Sequence, residues 1–458
     1  AKSVSVFSGM VAHDAFGTFF KLIVLLGTAL TLVLSAHARE LEDKHHGEFC
    51  LMLLAVCLGA MLLSSASHLL MIYVALEGLS VVSYCIAGFL RRDRKSSEAG
   101  IKFAIYGAVA SGVMLFGMSY VYGLTGSLHL SEIATQMMSM SVHSPQAASA
   151  LVVLLLLVLA GFLYKIAAVP FHYWAPDVYE GAPTTGTAFF SVVPKAAGFA
   201  VLIRAATALF PADDASWLNT AGAENAIAVI AALTMTLGNL AALGQSNVKR
   251  MLAYSSIAHA GYMLAGLSVL GVTATSTPGT LGGPASVLYY LIVYLFMNLG
   301  AFLVLLALEN RCGSSDLPAL RGVIRREPLL VVTLCVFLFS LVGLPPLAGF
   351  SAKYLVMLEL AGRNHFALIA CIGLNTVISL YYYLKIAKAV AVDAPENTAE
   401  TPSPASPLSY KLLAVASSVA LLLLFVQLEP VHRLCREAAL TLPSPTRGEG
   451  KQDAVSAK

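Results

Sequence analysis

An apolar helix that carries a charge and then meets two prolines occupies residues 151–179, whose sequence is LVVLLLLVLAGFLYKIAAVPFHYWAPDVY. Lys165 closes the apolar run, and a lysine near the centre of a bilayer costs roughly 2.5–3.5 kcal/mol on insertion scales. Pro170 removes a backbone donor and blocks continuation of the helix, and lipid cannot satisfy the carbonyls that are freed. The stretch therefore predicts a broken helix that borders a hydrated, polar cavity inside the protein.

The composition indicates a membrane protein with many spans. Of 458 residues, 58% are hydrophobic and only 12% are charged, and the mean hydropathy is +0.79, whereas soluble proteins carry about 25% charged residues. The net charge of +3 is too small and too dispersed to indicate nucleic-acid binding. The cysteines have no CxxC spacing, which favours buried packing over a metal site. We also find no glycine-rich phosphate loop, so we expect no metal and no cofactor in this chain.

Repeated apolar runs of about 20 residues, the length that a bilayer requires, predict an all-α polytopic membrane protein. We expect about twelve transmembrane helices, at residues 15–36, 48–65, 68–89, 99–122, 147–169, 183–210, 224–243, 247–270, 284–309, 328–359, 365–392 and 407–428.

Two of these helices are interrupted, and they lie five helices apart. The fifth breaks around Lys165 and Pro170, and the tenth breaks at Pro345-Pro346, with Lys353 beyond. Paired broken helices in corresponding halves indicate an inverted repeat with an ion path at the breaks. We therefore expect an N-terminal helix and loop (1–47), a first five-helix repeat (48–210), an inverted second repeat (224–392), a Pro-rich linker (393–406), a last helix (407–428) and a disordered tail (429–458).

Basic residues mark one side of the predicted bundle. They follow helices three, seven, nine and eleven, whereas the connections after even-numbered helices hold almost none. The positive-inside rule places the basic connections in the cytoplasm. Both termini are then predicted on the opposite, outer side of the membrane.

Five ionisable residues stand inside otherwise apolar helices, namely Glu77, Lys165, Lys195, His259 and Lys353. For each of them the alternative is a structural ion pair or a side chain that extends to the interface. Glu77 lies mid-helix and is too short to reach the interface. Lys165 and Lys353 adjoin helix breaks, and Lys195 follows a proline, so a functional role is favoured for all three.

The remaining buried ionisable groups are more ambiguous. His259 is as compatible with a neutral histidine that shares hydrogen bonds with Ser255 or Tyr262 as with a relay. Lys21, Lys102 and Arg204 lie nearer helix ends, where we expect their side chains to extend towards the interface.

A row of buried lysines, a glutamate and a histidine has the composition of a proton relay. Burial disfavours the charged form of an ionisable group, and a nearby opposite charge favours it. A lysine can therefore be charged when a glutamate is close and neutral when that glutamate is engaged elsewhere. Histidine fits between them because it titrates near neutral pH without perturbation. Groups of this kind, joined by water, can load, hold and release protons.

Four motifs contain most of these groups: ALEGLS at 75–80, VYEGAP at 178–183 after Lys165, SNVKRMLAYSSIAH at 246–259 and GLPPLAGFSAK at 343–353. In this order they resemble the antiporter-like membrane subunits of respiratory complex I, the proton-pumping NADH:quinone oxidoreductase, and most closely the bacterial subunit N type. The likeness covers residues 14–428. Bacterial members of that family usually have fourteen helices, so the resemblance implies two that would precede the first one here.

The resemblance implies a role for each ionisable residue. Glu77 and Lys165 would form a pair, Lys195 and His259 would bridge, and Lys353 would be the terminal site of the proton relay. The M type has a glutamate at this last position, so Lys353 favours type N.

The resemblance also implies a subunit of a translocase, without a redox active site of its own. NADH, FMN, iron–sulfur clusters and quinone are then expected in partner subunits, and the partners would be the M-type and the small K, J and A subunits, with lipids. It implies a bacterial inner membrane with both termini in the periplasm.

Two other functions remain open at this stage. The same fold is related to multisubunit sodium/proton antiporters, and sequence separates the two only through the resemblance. A non-pumping spacer is disfavoured, because replacing buried charges by apolar residues would often stabilise such a protein.

Overall fold

The computed structural model describes residues 4–41, 45–143, 145–209, 223–269, 282–394 and 405–442. Its elements in chain order are strands β1 (Val4–Val6) and β2 (Val11–His13) and helices α1 (Ala15–Ser35), α2 (His46–Ser65), α3 (Leu69–Ala87), α4 (Arg94–Thr125), α5 (Leu130–His143), α6 (Pro145–Ile166), α7 (Trp174–Gly181), α8 (Thr184–Leu209), α9 (Ala223–Leu243), α10 (Val248–Leu267), α11 (Gly283–Cys312), α12 (Pro328–Val342), α13 (Ala348–Gly362), α14 (Phe366–Ala391), α15 (Leu408–Val426) and α16 (Leu428–Ala439).

The predicted helical membrane fold is confirmed. Within the described residues, nine helices are long and apolar enough to cross a membrane, namely α1 to α4, α8, α9, α11, α14 and α15. The other three predicted spans correspond to α6, α10 and the pair α12–α13. These three contain Lys165, His259 and Lys353, whereas the buried Lys195 lies on α8, one of the nine.

Both expected breaks are present. The chain leaves α6 at Ile166 and resumes as the short helix α7 at Trp174. In the second repeat α12 ends at Val342 and is followed by Gly343, whose φ of +88° is a left-handed conformation that favours glycine, and α13 begins at Ala348. The proline-containing segments between the halves prevent one continuous helix in each case.

The interior of the bundle is formed by α8 and α11. Every residue of α8 except Thr207 is buried, and most of α11 is buried as well. Helices α1, α2 and α6 pack against α8, while α12, α13 and α15 pack against α11. A charged group on α8 therefore lies inside protein rather than against lipid.

The prediction for Arg204 is wrong for this reason. Its side chain is 1% exposed and forms a two-pronged ion pair with Asp14, at 2.7 Å from Nη1 to Oδ2 and 3.0 Å from Nη2 to Oδ1. Asp14 also accepts a hydrogen bond from the backbone N–H of Gly17 and so caps the first turn of α1. The pair ties α1 to the central helix.

The C-terminal prediction also requires correction. Residues from 429 onward were expected to be disordered, but Leu428–Ala439 forms α16. Its buried residues recur at helical spacing, namely His432, Cys435, Ala438 and Ala439. The helix is amphipathic rather than uniformly apolar, so a search for apolar runs passes over it. Residues 443–458, and 395–404 of the predicted linker, lie outside the described residues.

Two further elements were not predicted. Strands β1 and β2 pair as an antiparallel hairpin, and the backbone of Ser67 between α2 and α3 donates to the carbonyl of Met10 next to it. Helix α5 follows α4 and packs against α6 and α8. Both are too short or too polar to register as membrane spans.

Candidate proton-transfer site

Lys165 lies in the last turn of α6, immediately before the first break. Its side chain is 3% exposed, and Nζ donates a hydrogen bond to Ser80 Oγ on α3 at 3.1 Å. Nζ also lies 5.9 Å from the centre of the Phe103 ring, on which the Trp174 ring is stacked at 4.3 Å. The break therefore places this ammonium among aromatic rings and a single hydroxyl.

Glu77 precedes Ser80 by one turn of α3 and is half-buried. Its carboxylate accepts a short hydrogen bond from the Ser111 hydroxyl on α4. Among the described residues it forms no ion pair with Lys165 within 4.0 Å, so the expected pair is not in direct contact. Ser80, which contacts Lys165, lies on the same face of α3 as Glu77, whereas its own hydroxyl donates to the carbonyl of Leu76.

Lys195 follows Pro194 inside α8 and is 1% exposed. Its Nζ donates to the backbone carbonyl of Ser256 on α10 at 2.7 Å and also, over a short distance, to the Ser256 hydroxyl. The hydroxyl of Tyr179 on α7 lies 3.4 Å from Ser256 Oγ. One serine thus joins the central lysine to the helix that follows the first break.

His259 is also 1% exposed, but its partners differ from those expected. Nδ1 lies 2.7 Å from the hydroxyl of Tyr290 on α11, and Nε2 lies 3.4 Å from the hydroxyl of Tyr383 on α14. Ser255 is reached only through Tyr383, with which it shares a short hydrogen bond. Tyr262 makes an edge-on ring contact with His259 at 5.6 Å.

Lys353 lies in the second turn of α13, directly after the second break, and is 4% exposed. Its Nζ donates to the carbonyl of Val342 at 2.9 Å and to Thr376 Oγ1 at 3.3 Å. Val342 is the last residue of α12, so the break supplies a carbonyl without a partner inside its own helix. The negative end of that helix dipole also favours a cation there. The ring of Tyr262 lies 4.4 Å from Nζ.

Helix α10 carries His259 and contacts both Lys195 and Lys353. Ser256 holds Lys195, His259 follows one turn later, and the Tyr262 ring faces Lys353 another turn on. On the other side of α8, Gly198 leaves room for Lys165, since a Cβ at position 198 would lie 3.3 Å from Lys165 Cβ. The five predicted residues thus lie on five helices, with four of the five buried.

Most of the groups that contact the five predicted site residues are uncharged. Within the described residues, the three lysines contact hydroxyls, backbone carbonyls and ring faces, and His259 contacts two phenols. Neutral donor–acceptor groups hold a proton weakly enough to pass it on, whereas a fixed carboxylate partner would stabilise the charged form. Groups in this arrangement can exchange protons, and each transfer breaks one N–H or O–H bond as another forms.

The tyrosines were missed by sequence reasoning. Tyr179, Tyr290 and Tyr383 stand in apolar helices where an aromatic residue is ordinarily core packing. A buried tyrosine hydroxyl usually finds a partner, but the partner here lies on another helix. The only local signal was the dense tyrosine content of α11 and α14.

A separate network of ion pairs joins α4, α7 and α10. Arg250 Nη1 lies 2.7 Å from Asp177 and 3.0 Å from Glu180. Lys102 Nζ lies 2.6 Å from Asp177, and Lys95 Nζ lies 2.9 Å from Glu180. Lys102, predicted to extend to the interface, instead bridges to α7. The network anchors the short helix that contains Tyr179.

Comparisons with known proteins show the family of the chain. Residues 66–379 match the family described as NADH:quinone oxidoreductase/Mrp antiporter, transmembrane region. The chain belongs to this family, and it is embedded in a membrane. The match extends from the start of α3 into α14 and includes all five predicted site residues.

Relatives of the subunit N type are the most informative. The chain is 45% identical to NADH-quinone oxidoreductase subunit N of Anaeromyxobacter sp. (strain Fw109-5), over 96% of this chain and 86% of that protein. It is 43% identical to NADH-quinone oxidoreductase subunit N of Geobacillus kaustophilus, over 84% and 76%. The resemblance to the bacterial subunit N type is thereby confirmed.

Solved structures show the same fold. A chain of respiratory complex I from Thermus thermophilus with bound aureothin superimposes with a TM-score of 0.75 at 35% identity, over 95% of this chain and 89% of that one. A chain of the Mrp complex from Dietzia sp. gives a TM-score of 0.81 at 22% identity, over 95% and 85%. The second likeness shows the fold alone.

Proposed function

We propose that this chain is a proton-translocating membrane-arm subunit of an NADH:quinone oxidoreductase. Protons move along a relay of Glu77, Lys165, Lys195, His259 and Lys353, and the energy comes from redox chemistry in partner subunits. The observation that carries the proposal is the row of nearly fully buried basic groups whose partners are neutral hydroxyls and carbonyls.

The subunit N relatives and the complex I chain support the wider setting of the proposal. NADH, FMN, iron–sulfur clusters and quinone are then held by partner subunits, and M-type and small membrane subunits are the neighbours. The chain lies in a bacterial inner membrane with both termini in the periplasm, which the basic connections after odd-numbered helices support.

A change in the partner of the Glu77 carboxylate drives proton transfer along the relay. Glu77 is engaged with Ser111 in this structure, and a move of its carboxylate towards Lys165 would favour the charged lysine. Transfer of one charge against about 100 mV takes about 2.3 kcal/mol. A pKa change of about two units is worth roughly 2.7 kcal/mol, so the rearrangement of one pair is of sufficient size.

The test compares Lys165→Ala and Glu77→Ala with an unaltered complex in sealed vesicles. Each variant is expected to abolish proton pumping, measured as acidification per NADH oxidised, while the complex still assembles. Lys388→Ala, at a lysine whose side chain is 70% exposed, is the matched control and is expected to pump normally. Normal pumping by either relay variant would remove that residue from the proposal.

The alternative is a subunit of a multisubunit sodium/proton antiporter. It predicts sodium-driven pH changes by vesicles that contain this chain without redox partners. The proposal predicts instead that the chain co-purifies with NADH-oxidising subunits and that pumping requires NADH and quinone. A sodium-driven response in the absence of those subunits would overturn it.

A further inference from the structure

Tyr84 is not one of the five predicted site residues, but it lies on the same face of α3 as Glu77. It lies seven residues after Glu77 and four after Ser80 on α3, so the three side chains share one face. Its hydroxyl is buried, and no described residue lies within hydrogen-bonding distance in a suitable geometry. A buried tyrosine hydroxyl normally has a partner, because a buried polar group that is left unpaired destabilises the fold.

On α4, the residue next to the Tyr84 hydroxyl is a glycine, Gly107. A Cβ at position 107 would overlap the Tyr84 hydroxyl oxygen and would lie 2.9 Å from the Tyr164 hydroxyl oxygen. Gly107 therefore provides the space in which these two hydroxyls approach each other. Ser111, one turn further along α4, contacts Glu77, so α3 and α4 hold polar side chains against each other at both Glu77 and Tyr84.

The other hydroxyl next to position 107, that of Tyr164, already has a hydrogen-bond partner. Tyr164 directly precedes Lys165 and donates its hydroxyl proton to the carbonyl of Phe103 at 2.8 Å. Its own backbone carbonyl accepts from Trp174 Nε1 at 2.9 Å. Tyr164 is thus held in place on both sides, whereas the Tyr84 hydroxyl has no hydrogen-bond partner among the described residues.

Resting on the proton-relay function proposed above, we propose that Tyr84 is a further relay residue, which passes protons along α3 to Ser80 and from there to Lys165 and Glu77, and that Gly107 keeps its hydroxyl free to turn. Tyr84 lies towards the end of α3 that the basic connection marks as cytoplasmic. It therefore stands on the uptake side of the first lysine.

The step leaves no charge on the tyrosine. The phenol oxygen accepts a proton from a hydronium ion on the uptake side, which is left as water, while its own O–H proton passes to Ser80 Oγ. The Ser80 O–H proton passes in turn to the neutral amine of Lys165, whose Nζ lies 3.1 Å from Ser80 Oγ, so the net change is one proton gained by the lysine. One O–H bond forms as the other breaks, so the phenol is neutral before and after. Rotation about the C–O bond then returns the hydroxyl to its starting direction, and this rotation requires the space above Gly107.

The experiment measures proton pumping per NADH oxidised in vesicles that contain the assembled complex. Tyr84→Phe removes only the hydroxyl and keeps the ring, which packs edge-on against Phe103 at 5.0 Å. We expect it to lose at least half of the pumping that Lys165→Ala loses, with unchanged assembly on a native gel. Tyr164→Phe, in the neighbouring hydroxyl, is the matched control and is expected to keep normal pumping.

Gly107→Ala gives an independent test. The added methyl group displaces the Tyr84 hydroxyl, so we expect the same loss as for Tyr84→Phe and no additional loss in the double variant. Additive losses would show that Gly107 acts through packing, which would overturn its assigned role.

A solvent isotope experiment separates a relay role from a structural one. In Tyr84→Phe the remaining pumping should slow more in D2O than it does in the unaltered complex, because proton transfer becomes rate-limiting. Normal pumping by Tyr84→Phe together with a loss in Lys165→Ala would overturn the Tyr84 proposal alone. Normal pumping by Lys165→Ala would instead overturn the wider function.

Discussion

At the scale of single residues, the buried cations divide into two kinds by the charge of their partners. Arg204 faces the carboxylate of Asp14, whereas Lys195 and Lys353 contact only neutral groups in the part of the chain that the structure describes. A paired buried charge is held in one state, and an unpaired one can gain or lose its proton. The first kind stabilises the fold, and the second is suited to transfer.

His259→Gln tests the transfer role of the central histidine. Glutamine keeps hydrogen-bonding capacity towards Tyr290 and Tyr383 but does not titrate. We expect proton transfer through the row to fall by about 100-fold, the low end of what a positioned acid–base group contributes, while the complex assembles normally. Pumping assays with Ser268→Ala, at a buried serine whose hydroxyl donates to the carbonyl of Ala265 in the same helix, provide the comparison.

Arg204→Met tests whether a buried cation that is paired with a carboxylate stabilises the fold. Removal of one partner of a buried ion pair costs about 3–5 kcal/mol, because the remaining charge is left unpaired. We expect a clear fall in the thermal unfolding midpoint of the purified complex. The double variant Asp14→Asn/Arg204→Met leaves no charge and keeps the α1 cap, so it should recover much of the loss. A double variant as unstable as the single one would contradict this account.

At the scale of helices, the short helix α7 depends on its neighbours for position. It has only eight residues, too few to be stable alone. Asp177 in its first turn and Glu180 near its C-terminal end bind Arg250, and Tyr179 between them reaches Ser256. The ion pairs therefore set the position of a tyrosine that contacts the Lys195 site.

Arg250→Gln should loosen α7 without unfolding the bundle. Hydrogen–deuterium exchange of the assembled complex is expected to increase over residues 174–181, because the helix loses its link to α10. The exposed Arg325 provides a matched control as Arg325→Gln, for which we expect no change in this segment. Unchanged exchange in Arg250→Gln would show that apolar packing alone holds α7.

At the scale of the whole molecule, Glu327 joins three helices at one end of the second repeat. It is 2% exposed and pairs with Arg311 at the end of α11, over a short distance, and with Lys411 on α15 at 2.9 Å. Burial opposes its charge, but hydrogen bonds from the Ser406 backbone and the Lys411 ammonium hold the pKa of this carboxyl below its ordinary value. Its charged form therefore stabilises the folded state.

The pH dependence of Glu327→Gln follows from the direction of that shift. A carboxyl with a lowered folded-state pKa contributes stability above its ordinary pKa of about 4.3, and this contribution is lost as the pH falls through the folded-state value. The variant should unfold at a lower temperature than the unaltered complex at pH 7, and the difference should begin to shrink near pH 4 and continue to shrink as the pH is lowered further. An equal difference at both pH values would show that the ion pairs contribute little.

The sequence alone determined the spans, the two breaks and the positions of the five ionisable residues. These features are local, since an apolar run, a proline or a lysine in a helix has the same meaning in any fold. Helix α16 was missed because its apolar residues are spread along one face rather than in a run.

Only the tertiary structure decided which groups meet. The partners of Lys165 and His259 lie 85 and 124 residues away in the chain, at Ser80 and Tyr383, and Arg204 proved to be a buried ion pair because α8 lies in the centre of the bundle. Contacts between distant helices depend on how the whole bundle packs, and no local pattern of residues encodes them.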